Sequence, residues 1–239
     1  TLQITVTITD SNNPGFSQLC PITLNILPKE IELDGSTIKT SDGQKTPTKE
    51  YDGNTHIDVK STADLIGIIN GDDVSVAFDQ SANFDSAVVG TGKDVTLTGV
   101  ILSGAQKHRY TIPDTVTVSG IGTIEAKALT LVMSLMDGES DTVKFGMATP
   151  KYKLDLDAAS IANLAPSDKA AYDSYVLADD TTGFVREYIG FTGWSTPRDL
   201  YSASKSYTVV PLISSTGKNY TASASGLSMS FTVTRDDGT

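Results

Sequence analysis

An internal repeat constrains the fold of this chain more than any other feature of its sequence. The stretch ILPKEIEL, from Ile26 to Leu33, is matched by IEAKALTL, from Ile124 to Leu131, roughly 100 residues later. Arg109–Thr111 and Asn219–Thr221 likewise share a Tyr-Thr pair at a similar separation. Such a period indicates a tandem array, in which each stretch closes one module and opens the next. We therefore predict an N-terminal hairpin (residues 1–27), a first module (28–126) and a second module (127–239).

The apolar pattern has the period of two that is typical of β-strands. Leu2, Ile4, Val6 and Ile8 alternate with polar residues, and the turn-forming stretch DSNNPG follows them. A hairpin of this size is too small to form a core alone. We expect its apolar face to be covered by the first module, by a partner chain or by the rest of a truncated domain.

Short strands separated by turn residues predict an all-β fold for both modules. Immunoglobulin-like β-sandwich modules are the leading interpretation, and β-grasp-like modules with one short helix are the alternative. The only helical stretch that we predict follows Asp157, with Pro166 near a helix start. FVREYIGF, residues 184–191, is interpreted as a strand. The joints between modules are expected near Pro28 and Ala126, where one strand runs into the next.

Charge and composition exclude some classes of function. The formal net charge is −11 and the isoelectric point is near 4.5, so a nucleic-acid partner is not expected. No apolar run approaches the length of a membrane span, so this segment is not expected to insert into a membrane. The single cysteine, Cys20, cannot form an internal disulfide.

The first module resembles the YDG repeat of bacterial surface proteins and filamentous-haemagglutinin-like proteins. The resemblance rests on five ordered elements: Lys49–Thr55 (KEYDGNT), Asn70–Val74 (NGDDV), Val89–Thr96 (VGTGKDVT), Arg109–Thr111 (RYT) and Ile124–Thr130 (IEAKALT). These residue types form turns and cores, so we assign them structural roles. Gly53 and Gly71 are expected at positive φ, and Asp52 is expected to accept backbone N–H bonds in its own turn. The rings of Tyr51, Tyr110 and Tyr220 are expected to be buried, with their hydroxyls bonded to backbone.

The second module more loosely resembles the related MBG-type repeat. Its matches are Val143–Gly146, with Phe145 in place of the usual tyrosine, Pro150–Tyr152 and Gly217–Thr221. Residues 1–27 resemble the last two strands of a bacterial immunoglobulin-like domain. The resemblance implies stalk-like or adhesive modules of secreted and wall-attached bacterial proteins, and therefore an extracellular location at the bacterial cell surface or cell wall. The implied partners are neighbouring modules of a longer chain.

Nothing in the sequence indicates an enzyme. Neither histidine, His56 or His108, has a recognisable orienting partner, and no phosphate-binding loop, zinc spacing or nucleophile elbow is present. We therefore predict no catalytic residue, no metal site and no cofactor. Calcium binding by paired aspartates and a Lys–Asn isopeptide cross-link remain open alternatives.

Two hypotheses for function follow. The first is a non-catalytic stalk of tandem modules that make few contacts with one another. The second is a module that binds a glycan or a host surface protein. Its candidate residues are Trp194, Arg198 and Tyr201, in a stretch that glycine and proline predict to be a loop. The competing interpretation places the Trp194 ring in the core of the second module.

Overall fold

The structure is a computed structural model that describes residues 2–43, 45–195, 205–214 and 218–235. Among their described residues, the N-terminal hairpin and the first module contain strands and two short 3-10 helices, Gly35–Thr37 and Lys107–Arg109. The strands are β1 (Leu2–Asp10), β2 (Asn13–Leu24), β3 (Lys29–Glu30), β4 (Glu32–Leu33), β5 (Thr48–Glu50), β6 (His56–Asp58), β7 (Leu65–Ile66), β8 (Ser75–Ala77), β9 (Ser81–Phe84), β10 (Gly90–Leu97), β11 (Ile101–Ser103), β12 (Tyr110–Thr111) and β13 (Val116–Glu125).

The second module combines strands with helices. Its strands are β14 (Lys127–Leu129), β15 (Leu131–Leu135), β16 (Thr142–Lys144), β17 (Tyr152–Leu156), β18 (Phe191–Trp194), β19 (Lys205–Val209), β20 (Pro211–Ile213), β21 (Tyr220–Ala222) and β22 (Met229–Thr234). Its helices are α1 (Ala158–Ala162), α2 (Pro166–Leu177) and α3 (Thr181–Tyr188). The prediction of a mainly-β chain is confirmed.

The first module is built on a five-stranded sheet in the order β5-β13-β10-β9-β6. Alternation buries one face of this sheet: Ala82, Phe84, Val95 and Leu97 are at most 4% exposed. This face packs in one core cluster with Leu33 and Val76 of the short pairs β4–β7 and β8–β11. Two layers of β structure therefore enclose the core of the module.

The same pattern of parallel strand pairs occurs in both modules. The opening strand pairs with the Tyr-Thr strand, so that Lys29 lies opposite Tyr110 in β3–β12 and Lys127 lies opposite Tyr220 in β14–β21. A second pair joins the end of the last strand to an early strand, β5 with β13 and β16 with β22. The internal repeat seen in the sequence is therefore also a repeat of backbone pairing.

The second module differs from the prediction in its helices. Residues 184–188 of the expected strand FVREYIGF belong to α3, and only its end, at Phe191, enters β18. Asp180 caps this helix by accepting the Gly183 N–H at 2.9 Å, and Phe184 and Val185 face the core. Apolar residues with helical spacing were misread as an alternating strand, because the segment is short.

The apolar face of the N-terminal hairpin stays exposed. Ile4, Val6 and Ile8 on β1 are 39–60% exposed, and Ile22 on β2 is 45% exposed. Within the described residues, the first module does not cover this face.

The chain passes from the first module to the second without a linker. Strand β13 ends at Glu125 and β14 begins at Lys127, with only Ala126 between them. One core cluster contains residues from both sides, including Tyr51 and Ile124 of the first module and Leu129 and Tyr220 of the second. The prediction that modules make few contacts is therefore wrong at this joint.

Candidate functional site at the joint between the modules

The centre of the joint is the Asp168 carboxylate, which accepts hydrogen bonds from both modules. Tyr51 of the first module and Tyr220 of the second each donate from their hydroxyl to Oδ2 of Asp168, both at 2.9 Å. Asp168 is 7% exposed, and Tyr51 and Tyr220 are 5% and 1% exposed. We call these three residues the joint triad.

Local structure explains how a buried carboxylate is tolerated here. Asp168 lies in the first turn of α2, after Pro166, where the helix dipole favours negative charge. The Ser167 hydroxyl donates a further bond to Oδ1 at 3.3 Å. No lysine or arginine pairs with Asp168 among the described ion pairs, so hydroxyl donors supply the compensation that a buried charge needs.

The same environment alters the two tyrosines. Burial, followed by the bond to the Asp168 carboxylate, raises the pKa of Tyr51 to about 12. Burial and the same carboxylate also raise the pKa of Tyr220, although the Ala165 N–H that bonds its hydroxyl acts in the opposite direction. Both hydroxyls therefore stay protonated at neutral pH and remain available as donors.

Contacts around the triad hold the modules in register. The rings of Tyr51 and Tyr220 pack edge to face, with centroids 5.3 Å apart. The Val89 N–H donates to Oδ1 of Asn219 at 3.3 Å across the joint. At the rim, Lys127 Nζ lies 3.7 Å from Glu50 Oε1, and this partly exposed pair contributes little.

Gly53 is required at this joint for two reasons. Its φ is +82°, a region that side chains rarely adopt, as predicted for this turn. A Cβ at Gly53 would also lie 2.8 Å from the Cβ of Ala165 in the second module. The glycine of the Tyr-Asp-Gly turn therefore allows the two backbones to approach closely.

The rest of the turn is held by Lys49. Its ammonium donates to Asp52 at 2.6 Å, to Asn54 at 2.9 Å and to the His56 carbonyl at 2.8 Å. Asp52 accepts the Asn54 N–H at 3.1 Å, as predicted. Burial of the Asp52 carboxyl opposes ionisation, but the bonds from Lys49 and Asn54 outweigh it and lower its pKa. The Lys49–Asn54 contact is therefore a hydrogen bond within a salt-bridged turn.

Each module contains a tyrosine whose hydroxyl accepts a backbone N–H and donates to an aspartate. We call this arrangement a tyrosine corner. Tyr110 accepts the Ile69 N–H at 2.9 Å and donates to Asp72 at 2.6 Å. Tyr220 accepts the Ala165 N–H at 3.0 Å and donates to Asp168, and in both cases the aspartate is three residues after the N–H donor. The predicted bonds from backbone to Tyr110 and Tyr220 are present, whereas Tyr51 bonds to a carboxylate instead.

The two corners differ in the second side chain that donates a hydrogen bond to the aspartate. Arg109 donates to Oδ1 of Asp72 at 2.9 Å, whereas the position before Tyr220 is Asn219, which bonds Val89. Asp168 receives its additional donor from Tyr51 of the first module. The aspartate of each corner thus has a second donor. Asp72 bonds to Arg109 of its own module, and Asp168 bonds to Tyr51 of the other module.

The predicted ligand-binding stretch is described only in part. Trp194 lies in β18, so residues 191–194 form a strand and the loop prediction is wrong there. Its partly buried ring packs 4.9 Å from the Phe191 centroid and 5.9 Å from that of Tyr152. Arg198 and Tyr201 lie outside the described residues.

His56 has partners that the sequence did not reveal. Its ring nitrogens lie 3.2 Å from Ser81 Oγ and 3.1 Å from Asp58 Oδ1. The order serine, histidine, aspartate resembles a catalytic triad. However, the side chains of His56 and Asp58 are 51% and 68% exposed. Because water competes for both bonds, nothing fixes the imidazole as a buried orienting carboxylate would. We interpret the group as a polar network on the outer face of the sheet.

Two kinds of feature are absent from the described residues. No group of three or more His, Cys, Asp or Glu side chains is arranged to hold a metal ion in this part of the chain. Over the same residues, no helix has the length and apolar character needed to cross a membrane.

We predict that Tyr51→Phe weakens the joint. The change leaves the Asp168 carboxylate with one tyrosine donor, and loss of a bond to a charged group lowers the free energy of unfolding by about 1.5–3 kcal/mol. Urea unfolding of the chain measures this loss. The matched control is Tyr110→Phe. It removes a hydroxyl bond to an aspartate, Asp72, inside the first module and leaves the joint intact. Equal stability of Tyr51→Phe and the parent chain would contradict the role given to this bond.

We also predict that Trp194 stabilises the second module by packing. Trp194→Ala removes a ring that contacts Phe191 and Tyr152, and should lower the free energy of unfolding by about 3 kcal/mol. Leu177→Ala is the control, because Leu177 is 89% exposed. Unchanged unfolding together with loss of glycan or host-protein binding would instead support the ligand-binding hypothesis.

Comparison with known proteins identifies one family. No curated protein and no solved structure matches the chain. Residues 37–118 match the YDG domain. This range lies within the first module and contains the Tyr51–Gly53 turn of the joint together with the Asp72–Tyr110 corner. A YDG domain is therefore present in the first module of this chain.

Proposed function

We propose that this chain is a non-catalytic spacer, a structural stalk segment of an adhesin-like bacterial protein at the cell surface or cell wall. The observation that carries the proposal is the joint triad, which makes two consecutive modules contact through a buried polar cluster. A spacer must hold its two ends at a fixed distance and orientation. A joint that has no linker, and whose polar groups are buried and hydrogen-bonded, restricts movement between its modules. The immediate partners in this proposal are neighbouring modules.

The use of the family motif supports this interpretation. Tyr51 and Gly53, the tyrosine and glycine of the motif, contact the second module. Lys49, Asp52 and Asn54 hold the turn that presents them. The residues that define the family motif therefore hold the second module in place, which is a structural role.

The alternative, binding of a glycan or host protein, has less support. Its main candidate, Trp194, packs against two aromatic rings, and so presents less surface than a stacking platform for a sugar. A groove of about 880 Å³ does run beside β12 and the start of β13, lined by residues such as Glu30, Ile66, Pro113 and Thr117. A screen of this chain against glycans and matrix proteins tests that surface directly.

The spacer proposal predicts that Asp168→Ala loosens the joint. Both tyrosines then lose their acceptor, and the two modules should move relative to each other while each keeps its own strands. Small-angle scattering should fit one conformation for the parent chain and require an ensemble for Asp168→Ala. Asp72→Ala is the matched control, because it opens the equivalent corner without affecting the joint. A parent chain that already requires a broad ensemble would refute the proposal.

A further inference from the structure

The groove in the first module lies between two strand edges that have no hydrogen-bonding neighbour among the described residues. Its volume of about 880 Å³ is within the range of ligand-binding clefts. Residues 30–33, in β3 and β4, form one wall, and residues 111–119, from β12 into β13, form the other. The backbone groups on these walls determine what kind of ligand the groove can hold.

One free edge belongs to the first half of β13. Strand β5 pairs with β13 only over residues 123–125, and no other described strand lies on that side. The N–H of Asp85 donates to the carbonyl of Asp94 at 3.1 Å, in register with the β9–β10 pair. Because bonding alternates along a strand, Thr96 of β10 also bonds to β9. Thr117 is opposite Thr96, so its N–H and carbonyl point away from β10, to the free edge.

The other free edge belongs to β4. The N–H of Asp34 donates to the carbonyl of Asp64 at 2.8 Å, in register with the β4–β7 pair. By the same alternation, the N–H and carbonyl of Leu33 point away from β7. The N–H of Ile31 points to the same side, where it donates to the carbonyl of Thr111 at 3.1 Å. The second wall therefore also presents a backbone N–H and carbonyl with no backbone partner in the described part of the chain.

The side chains at the rim indicate that the ligand is basic. Glu30 and Glu32 are exposed and are the charged residues among those that line the groove. Neither takes part in an ion pair within the described residues. They lie two residues apart on one face, about 7 Å from each other, which is the spacing of alternate residues in a strand. Ile66, opposite Glu32 and 52% exposed, offers apolar contact to the stem of a lysine.

We propose that the groove binds an extended basic peptide segment of a partner protein. The segment pairs as a strand with the free edges of β13 and β4, and its lysine or arginine residues at alternate positions lie beside Glu30 and Glu32. The N-terminal hairpin of a second copy suits the groove less well, because residues 2–24 contain no lysine or arginine. This inference goes beyond the spacer function and does not depend on it, since the groove and the joint triad share no residue.

The test is a titration of the intact chain with a peptide of sequence TVTKVKVTS whose ends are blocked, followed by amide NMR. Binding should slow hydrogen exchange at the amides of Thr117 and Leu33, because both gain acceptors. A peptide with glutamate in place of both lysines should bind at least about tenfold more weakly. A peptide with proline in place of its central valine should also bind about tenfold more weakly, because proline has no N–H to donate.

Two variants of the chain separate backbone pairing from charge. Thr117→Pro removes the N–H that faces the groove. Because that N–H has no described partner, the chain should stay folded while its affinity for the lysine peptide falls about tenfold or more. The double variant Glu30→Lys with Glu32→Lys should lose the lysine peptide and bind the glutamate peptide instead, a reversal that misfolding cannot produce.

Several outcomes would overturn the peptide site. They are no saturable binding of the lysine peptide at about 1 mM, equal binding of the lysine and glutamate peptides, and binding that leaves exchange at Thr117 unchanged. Self-association of the chain that Thr117→Pro abolishes would assign the free edge to a second copy and would also overturn it. None of these results affects the spacer proposal, which the scattering of the parent chain tests separately.

Discussion

The arrangement of the two modules depends on one buried carboxylate that is shared between them. Asp168 is removed from water and forms no ion pair with a lysine or arginine among the described residues, so hydroxyl groups supply its hydrogen bonds. One of those hydroxyls belongs to the other module. Separating the modules would therefore leave Asp168 and Tyr51 to be rehydrated individually.

The remaining features of the joint can be understood from this requirement. The Tyr51 hydroxyl reaches Asp168 only because the Gly53 turn lets the Ala165 backbone approach. Lys49 fixes that turn through three hydrogen bonds, and Pro166 starts the helix that carries Asp168. The absence of a linker at Ala126 keeps the two surfaces in register. The Gly53 turn, the start of α2 and the junction at Ala126 thus all help to position the hydrogen bond between Tyr51 and Asp168.

The sequence predicted the β class, the repeat and the turn roles of Asp52 and Gly53 for physical reasons. Alternation and turn residues report local geometry, and positive φ at Gly53 follows from its place in a turn. The joint triad could not be predicted, because Tyr51 and Asp168 are far apart in sequence and no local pattern links them. Helix α3 was missed because Phe184 and Val185 fit a short strand as well as a short helix. The Ser81–His56–Asp58 network could not be predicted because Ser81 lies on β9, whereas His56 and Asp58 lie on β6.

We propose that the joint triad makes the two modules behave as one rigid body. Residual dipolar couplings of backbone amides, measured separately for residues 29–125 and 127–195, test this directly. The account predicts that one alignment tensor fits both sets in the parent chain and that two are needed for Asp168→Ala. Two clearly different tensors in the parent chain would contradict it.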